Sequence, residues 1–117
     1  MRVLVAESFS DLSIVLEELL VALGHEARVA LTTEDALSAL TDFLPEALLC
    51  AVDSVHLDGF AVVEKVLADG NLPGTRLLAM TTDARVLTRA QATEKGFHVC
   101  LVKPFGPADL AKALGSE

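Results

Sequence analysis

Tyrosine and tryptophan are absent from this 117-residue chain, and aromatic residues make up only 4% of it. So few rings leave no stacking platform for nucleic-acid bases. Basic residues are scarce as well: nine Lys and Arg stand against seventeen Asp and Glu, for a net charge of −8 and a pI near 4.7. Such a surface repels a phosphate backbone, so no nucleic-acid partner is expected. There are only two cysteines, Cys50 and Cys100, with no Cys-x-x-Cys spacing and no His/Cys cluster. Their ordinary reading is a pair of reduced core thiols, and zinc is not expected. The segment Glu7-Ser8-Phe9-Ser10 holds no glycine, which argues against a glycine-rich phosphate loop after the first strand. Neither a Gly-x-Ser-x-Gly elbow nor a His-Glu-x-x-His pair occurs. No apolar run approaches the roughly 18 residues of a spanning helix, and the opening apolar stretch is too short for a signal-peptide core. No membrane partner is expected, and the expected location is the cytoplasm.

What is present is apolar and periodic. Hydrophobic residues make up 52% of the chain and the mean hydropathy is +0.50. A chain of 12.4 kDa folds to about 6,100 Å² of surface from about 18,000 Å² unfolded, enough burial for one core without disulfides or a structural metal. The pattern predicts β1 at 3–6 and then α1, with Leu12, Val15, Leu16, Leu19, Leu20 and Leu23 recurring every three or four residues, Ser10 as N-cap and Gly24 as stop. β2 follows at 27–30. α2 is capped by Thr33, carries Glu34 and Asp35 in its first turn, and turns Ala36, Leu37 and Leu40 inward. β3 is predicted at 47–52 and α3 at 59–68 with Phe60, Val63, Val66 and Leu67 inward; β4 follows at 75–80, α4 at 83–94 and β5 at 99–102. α5 begins at Pro107 with Leu110, Ala113 and Leu114 as its stripe. Five strands alternating with five helices, the strands apolar on both sides, imply a parallel sheet covered on both faces: a doubly wound α/β sandwich of one domain over 1–117. The short final helix either frays or marks the front of a longer protein.

In such a sheet, sites form beyond the carboxyl ends of the strands. Lys103-Pro104-Phe105 after β5, Thr81 at the end of β4, twenty-two residues earlier, and Leu57-Asp58-Gly59-Phe60 opening α3 resemble the receiver domain of bacterial response regulators (CheY-like). Arg2-Val3-Leu4-Val5, Ala22-Leu23-Gly24-His25, Glu34-Asp35-Ala36-Leu37, Pro45-Glu46 and Gly96 extend the resemblance over nearly the whole chain. It implies the flavodoxin-like strand order 2-1-3-4-5. It also implies a phosphorylation pocket: an aspartate ending β3 takes a phosphoryl group from a histidine kinase, an acidic pair after β1 holds Mg²⁺, and a Thr and a Lys contact the phosphoryl oxygens. In-line phosphoryl transfer needs that set of nucleophile, hard cation and fixed donors.

The chain departs from the pattern where the chemistry would occur. Counting eight back from Gly59, or six on from Pro45, the acceptor position holds Ala51. The acidic pair is Glu7-Ser8, one carboxylate and one neutral hydroxyl; Cys100 occupies the aromatic switch position and Val55 that of a loop proline. The resulting expectation is a degenerate pocket of Glu7, Ser8, Ala51, Thr81 and Lys103, no catalytic residues, no enzyme, and weak or absent Mg²⁺ binding with Glu7 as the one residual ligand. Lys103 is expected to turn to Glu7 or Asp53.

Three functions follow. The first is a pseudo-receiver, a protein-interaction module acting without phosphorylation in a two-component-type pathway. It would use the α4-β5-α5 face, with Arg85, Arg89, Gln91, Cys100 and Lys112 as candidate contacts and a homodimer as one possible product; the ordinary reading of each side chain is solvated surface. The second is a switch with Asp53 as displaced acceptor. Two residues of strand carry a group about 6.6 Å, which is expected to take Asp53 out of reach of Thr81 and Lys103. The third, a flavodoxin-like small-molecule binder, wants a Gly/Ser/Thr phosphate cradle with flanking aromatics, which the chain does not combine. Asp58 is expected to cap α3, Phe105 to pack in the core, and His25, His56 and His98 to lie on the surface or in loops, with His56 beside the pocket.

Overall fold

A computed structural model of the chain describes residues 1–54, 56–69, 72, 74–83, 85 and 87–115; the side chain of Arg89 is also outside the description. The elements run β1(Arg2–Ala6), α1(Ser10–Ala22), β2(Glu26–Ala30), α2(Thr33–Asp42), β3(Ala47–Ala51), α3(Gly59–Ala68), β4(Arg76–Thr81), α4(Arg89–Glu94), β5(Val99–Val102) and α5(Pro107–Ala113). All four strand pairings are parallel and the order is β2-β1-β3-β4-β5, as expected. Every residue of β3 is buried, so the central strand has helices on both faces. The accessible surface, 6238 Å², agrees with the area expected from chain mass.

Several helix boundaries differ from the sequence reading, each for a local reason. α1 is capped at Phe9 rather than Ser10: the Glu7 carboxylate accepts the Phe9 N–H and turns the chain one residue early. Thr32, not Thr33, caps α2, accepting from the Asp35 amide at 3.1 Å. Thr33 instead accepts the Asp58 amide at 2.8 Å and ties the β3–α3 loop to α2. β3 stops at Ala51, with Val52 already in a bend. α4 is six residues rather than twelve. Asp83 captures the Arg85 amide in a local turn, an alternative to helix, while a reciprocal Thr88–Gln91 capping box starts the helix at Arg89. On α3, Val62 takes the inward place expected of Leu67, which is 59% exposed and lies over Gly96, where a Cβ would meet its Cδ1 at 2.6 Å. Leu110, Ala113 and Leu114 are buried as predicted, and Phe105 packs half-buried against the core.

Candidate functional site

The carboxyl ends of β1, β3, β4 and β5 bring Glu7, Ala51, Thr81 and Lys103 to one edge of the sheet. Ala51 ends β3 fully buried. The first turn of α3 presses on it: a Cβ at Gly59 would sit 2.3 Å from the Ala51 carbonyl oxygen and 2.9 Å from Cys50 Sγ. Only a residue without a side chain allows the helix to start there. Asp58 caps that helix as expected, accepting from the Ala61 amide at 3.2 Å.

Glu7 has no exposed surface, yet it is fully partnered. One carboxylate oxygen meets the Lys103 ammonium, which is itself only 12% exposed. The other accepts from Ser54 Oγ at 2.5 Å and from the Phe9 amide at 3.2 Å. Ser8 Oγ lies 2.6 Å from Ser54 Oγ, so loops after β1, β3 and β5 are joined in one polar chain. Of the two partners expected for Lys103, Glu7 is the one bonded. A buried carboxylate and ammonium tolerate desolvation only when paired and hydrogen-bonded to this degree. Ser54 was the residue sequence reasoning missed. The only available signal was a hydroxyl placed three residues after Ala51, which is too common to single out.

Asp53 departs from expectation. Its Oδ2 accepts from Thr81 Oγ1 at 3.0 Å, the Thr82 amide at 2.9 Å and Thr82 Oγ1 at 2.7 Å. The 6.6 Å advance along a strand does not apply, because the chain leaves the extended conformation after Ala51 and folds Asp53 back over the end of β4. Burial pushes the Asp53 carboxyl up. The hydrogen bonds from the Thr82 hydroxyl and amide and from Thr81, together with the Lys103 charge, outweigh it and hold the group below the usual carboxylate range. Burial, with the nearby Asp58 and Glu7 charges, pushes the free Cys50 thiol up to about 12, so it stays protonated.

The divalent cation implied by the resemblance does not fit this donor set. Both oxygens of Glu7 are taken by donors, Asp53 is turned onto Thr81 and Thr82, and Ala51 offers only a methyl group. Among the described residues no cluster of three His, Cys, Asp or Glu side chains converges on a metal position.

The predicted partner face holds an open cavity of about 800 Å³ between α4, β5 and α5. Cys100 and Lys112 line it, with Leu87, Phe97, Val102 and Phe105. Arg85 and Gln91 do not. The Arg85 guanidinium pairs with Asp83, and Gln91 is held in the capping box. The Arg89 side chain and Val55 lie outside the described residues. His56 is exposed in the loop after β3, at φ +64°, and His98 accepts the Leu77 amide through Nδ1. No helix among the described residues is long and apolar enough to cross a membrane.

Comparison with known proteins gives a consistent picture. No family model matches the chain. A response regulator receiver domain (CheY-like) from Methylobacillus flagellatus superposes with a TM-score of 0.87 and 25% identity, over 99% of this chain and 97% of that one. The chemotaxis protein CheY4 of Vibrio cholerae has the same fold, with a TM-score of 0.88 and 24% identity over 97% and 95%. By sequence, the chain is 33% identical over 110 residues to the transcriptional regulatory protein PrrA of Mycobacterium tuberculosis, covering 93% of this chain and 46% of that protein. It is 26% identical over 109 residues to the probable transcriptional regulator ycf27 of Guillardia theta, covering 93% and 42%. The chain thus spans less than half the length of the curated relatives it matches.

Proposed function

We propose that this chain, a CheY-like response-regulator receiver domain, works in two-component signalling without being phosphorylated at the usual strand-end position, as a protein-interaction module. One observation carries the reading: Ala51 stands where the acceptor would be, and the pocket cation Lys103 is bonded to Glu7 inside the fold. A methyl group forms no acyl phosphate. An ammonium already paired with a buried carboxylate would have to break that pair to meet an incoming phosphoryl group. The cavity between α4, β5 and α5 is the surface we assign to the partner, with Cys100 and Lys112 at its wall.

The test is intact mass after incubation with Mg²⁺ and acetyl phosphate, with amide NMR in beryllofluoride alongside. The reading expects no phosphoryl adduct and no spectral change.

A second reading has one specific observation in its favour. Asp53 lies within hydrogen-bond distance of Thr81 and feels the Lys103 charge, so a carboxylate does occupy the neighbourhood of both retained residues. A stoichiometric adduct that disappears in Asp53→Asn would establish the displaced acceptor and overturn the first reading.

A further inference from the structure

The sheet has two edge strands, and they differ. β5, Val99–Val102, carries no charged residue, and its residues line the cavity between α4 and α5. β2, at the other edge, pairs only with β1 among the described residues. The Glu26 N–H donates to the Met1 carbonyl, and the Ala30 carbonyl accepts the Glu7 N–H, both at 3.0 Å. Backbone groups alternate in direction along a strand, so the even-numbered residues of β2 face β1. Ala27 and Val29 therefore turn their N–H and C=O groups to the open side, a template for a further strand. Glu26 and Arg28, which flank Ala27, are exposed, and neither forms an ion pair among the described residues.

Charge on an edge strand usually blunts it against pairing. Here the order of the charges selects a partner instead. An antiparallel strand bonds to this edge only where outward-facing residues oppose one another. For two β2 strands related by a two-fold axis, the central register sets Ala27 opposite the partner's Ala27, and the two exchange a pair of N–H···O=C bonds. Glu26 then lies directly opposite the partner's Arg28, and Arg28 opposite the partner's Glu26, on one face of the sheet. These are the closer, non-hydrogen-bonded positions, with Cα atoms about 4.5 Å apart. The next registers that keep the bonding set Glu26 against the partner's Glu26, or Arg28 against the partner's Arg28, and like charges directly opposite are destabilising. The central register alone satisfies both bonding and charge.

We infer that the open edge of β2 is an interface for a second copy of this chain, joined antiparallel about Ala27 so that one sheet runs through both copies. Such an interface is isologous and closes at two copies. The net charge of −8 on each copy opposes association, but charges farther apart than a Debye length of about 8 Å are largely screened, whereas Glu26 and the partner's Arg28 are direct neighbours. The inference is independent of whether the chain takes phosphate, since none of these residues belongs to the network joining Glu7, Ser54 and Lys103.

Sedimentation equilibrium of the full chain, at concentrations rising to about 1 mM, should show a monomer–dimer transition. Amide hydrogen exchange at Ala27 should slow as the dimer forms. Glu26→Arg leaves two cations on each edge and Arg28→Glu leaves two anions, so each alone should weaken association at least about tenfold. Mixing these two variants should restore a dimer with one copy of each. Glu26→Arg and Arg28→Glu combined in one chain should restore the homodimer. Both positions are exposed, so circular dichroism and the melting temperature should show every variant folded. A chain that stays monomeric at every concentration, a dimer indifferent to the single variants, or single variants that fail to associate on mixing would each overturn the assignment.

Discussion

At the amino end of the sheet Arg2 reaches Glu46 across 3.6 Å, with side chains 45% and 50% exposed; at the carboxyl end Lys103 meets Glu7, with side chains 12% and 0% exposed. Several contacts at the amino end tie single side chains to backbone groups. Arg2 Nε donates to the Leu44 carbonyl, Arg76 Nε to the Ala113 carbonyl at the end of α5, and His98 accepts the Leu77 amide. Each closes one loop or helix end. At the carboxyl end the contacts converge, so that loops after β1, β3 and β5 share one buried carboxylate, Glu7, and the loops after β3 and β4 share a second, more exposed one, Asp53. The same kinds of residue hold turns together at one end and form a single cooperative unit at the other. Breaking them should therefore have very different consequences.

The largest effect is expected from Lys103→Met. It leaves Glu7 buried with its Ser54 and Phe9 donors but without its counter-charge, and loss of one partner from a buried pair costs about 3–5 kcal/mol. Urea unfolding should show a lower midpoint with an unchanged slope, the product of slope and midpoint shift giving a loss of that size. Adding Glu7→Gln should recover part of the loss, because the remaining groups are then neutral. A Lys103→Met variant as stable as the parent would mean that the pair holds nothing together.

Gly59→Ala comes next. Its methyl would meet the Ala51 carbonyl oxygen, a backbone atom that cannot swing aside. Overpacking of this kind costs about 1–3 kcal/mol. The melting temperature should fall by several degrees, at roughly 4–8 °C per kcal/mol for a domain near this size.

Asp53 gives a smaller effect with a pH signature. Its carboxyl is held below the unfolded value, so the stability it contributes is fully present above the unfolded pKa of about 3.9 and is lost as pH falls through the lower folded value. Asp53→Asn should lower stability by about 1 kcal/mol near neutral pH, the scale of a hydrogen-bonded carboxylate facing water. The gap between variant and parent should close below about pH 4. Paired urea titrations at pH 7 and pH 3 read it directly, and a gap that persists unchanged at pH 3 would assign the effect to packing.

Sequence legibility followed the physical range of the interactions. The burial of β3 and the full span of α3 were readable because they rest on long apolar runs and an Asp-Gly start, whereas the strand order came only from the resemblance to receiver domains. Glu7, Ala51, Thr81 and Lys103 were readable because strand ends must meet in a parallel sheet. The start of α4 was not, because a turn closed by Asp83 and a Thr88–Gln91 box compete with helix over only a few residues. The place of Asp53 was misjudged for a related reason: β3 ends one residue sooner than its hydrophobicity suggests, and every side chain beyond that end is re-aimed. Val15 was misread as part of the inward stripe of α1: it is 57% exposed, because the helix carries more apolar side chains than its buried face can cover.

The smallest effect belongs to the amino end. Arg2→Ala removes an exposed ion pair with Glu46 and a hydrogen bond to the Leu44 carbonyl, while the Arg2 backbone amide still donates to Glu46 at 2.9 Å. That amide is the first cause of the lowered Glu46 carboxyl, and Arg2's side-chain charge comes after it. Exposed pairs contribute roughly 0–1 kcal/mol and are screened by salt. The variant should unfold within about 0.5 kcal/mol of the parent, and the difference should shrink further when salt is raised. The Lys103→Met loss should by contrast persist in salt, because ions do not reach a carboxylate with no exposed surface. Equal salt sensitivity in the two variants would remove the distinction between the two ends of the sheet, and with it the reason for placing the functional site at only one of them.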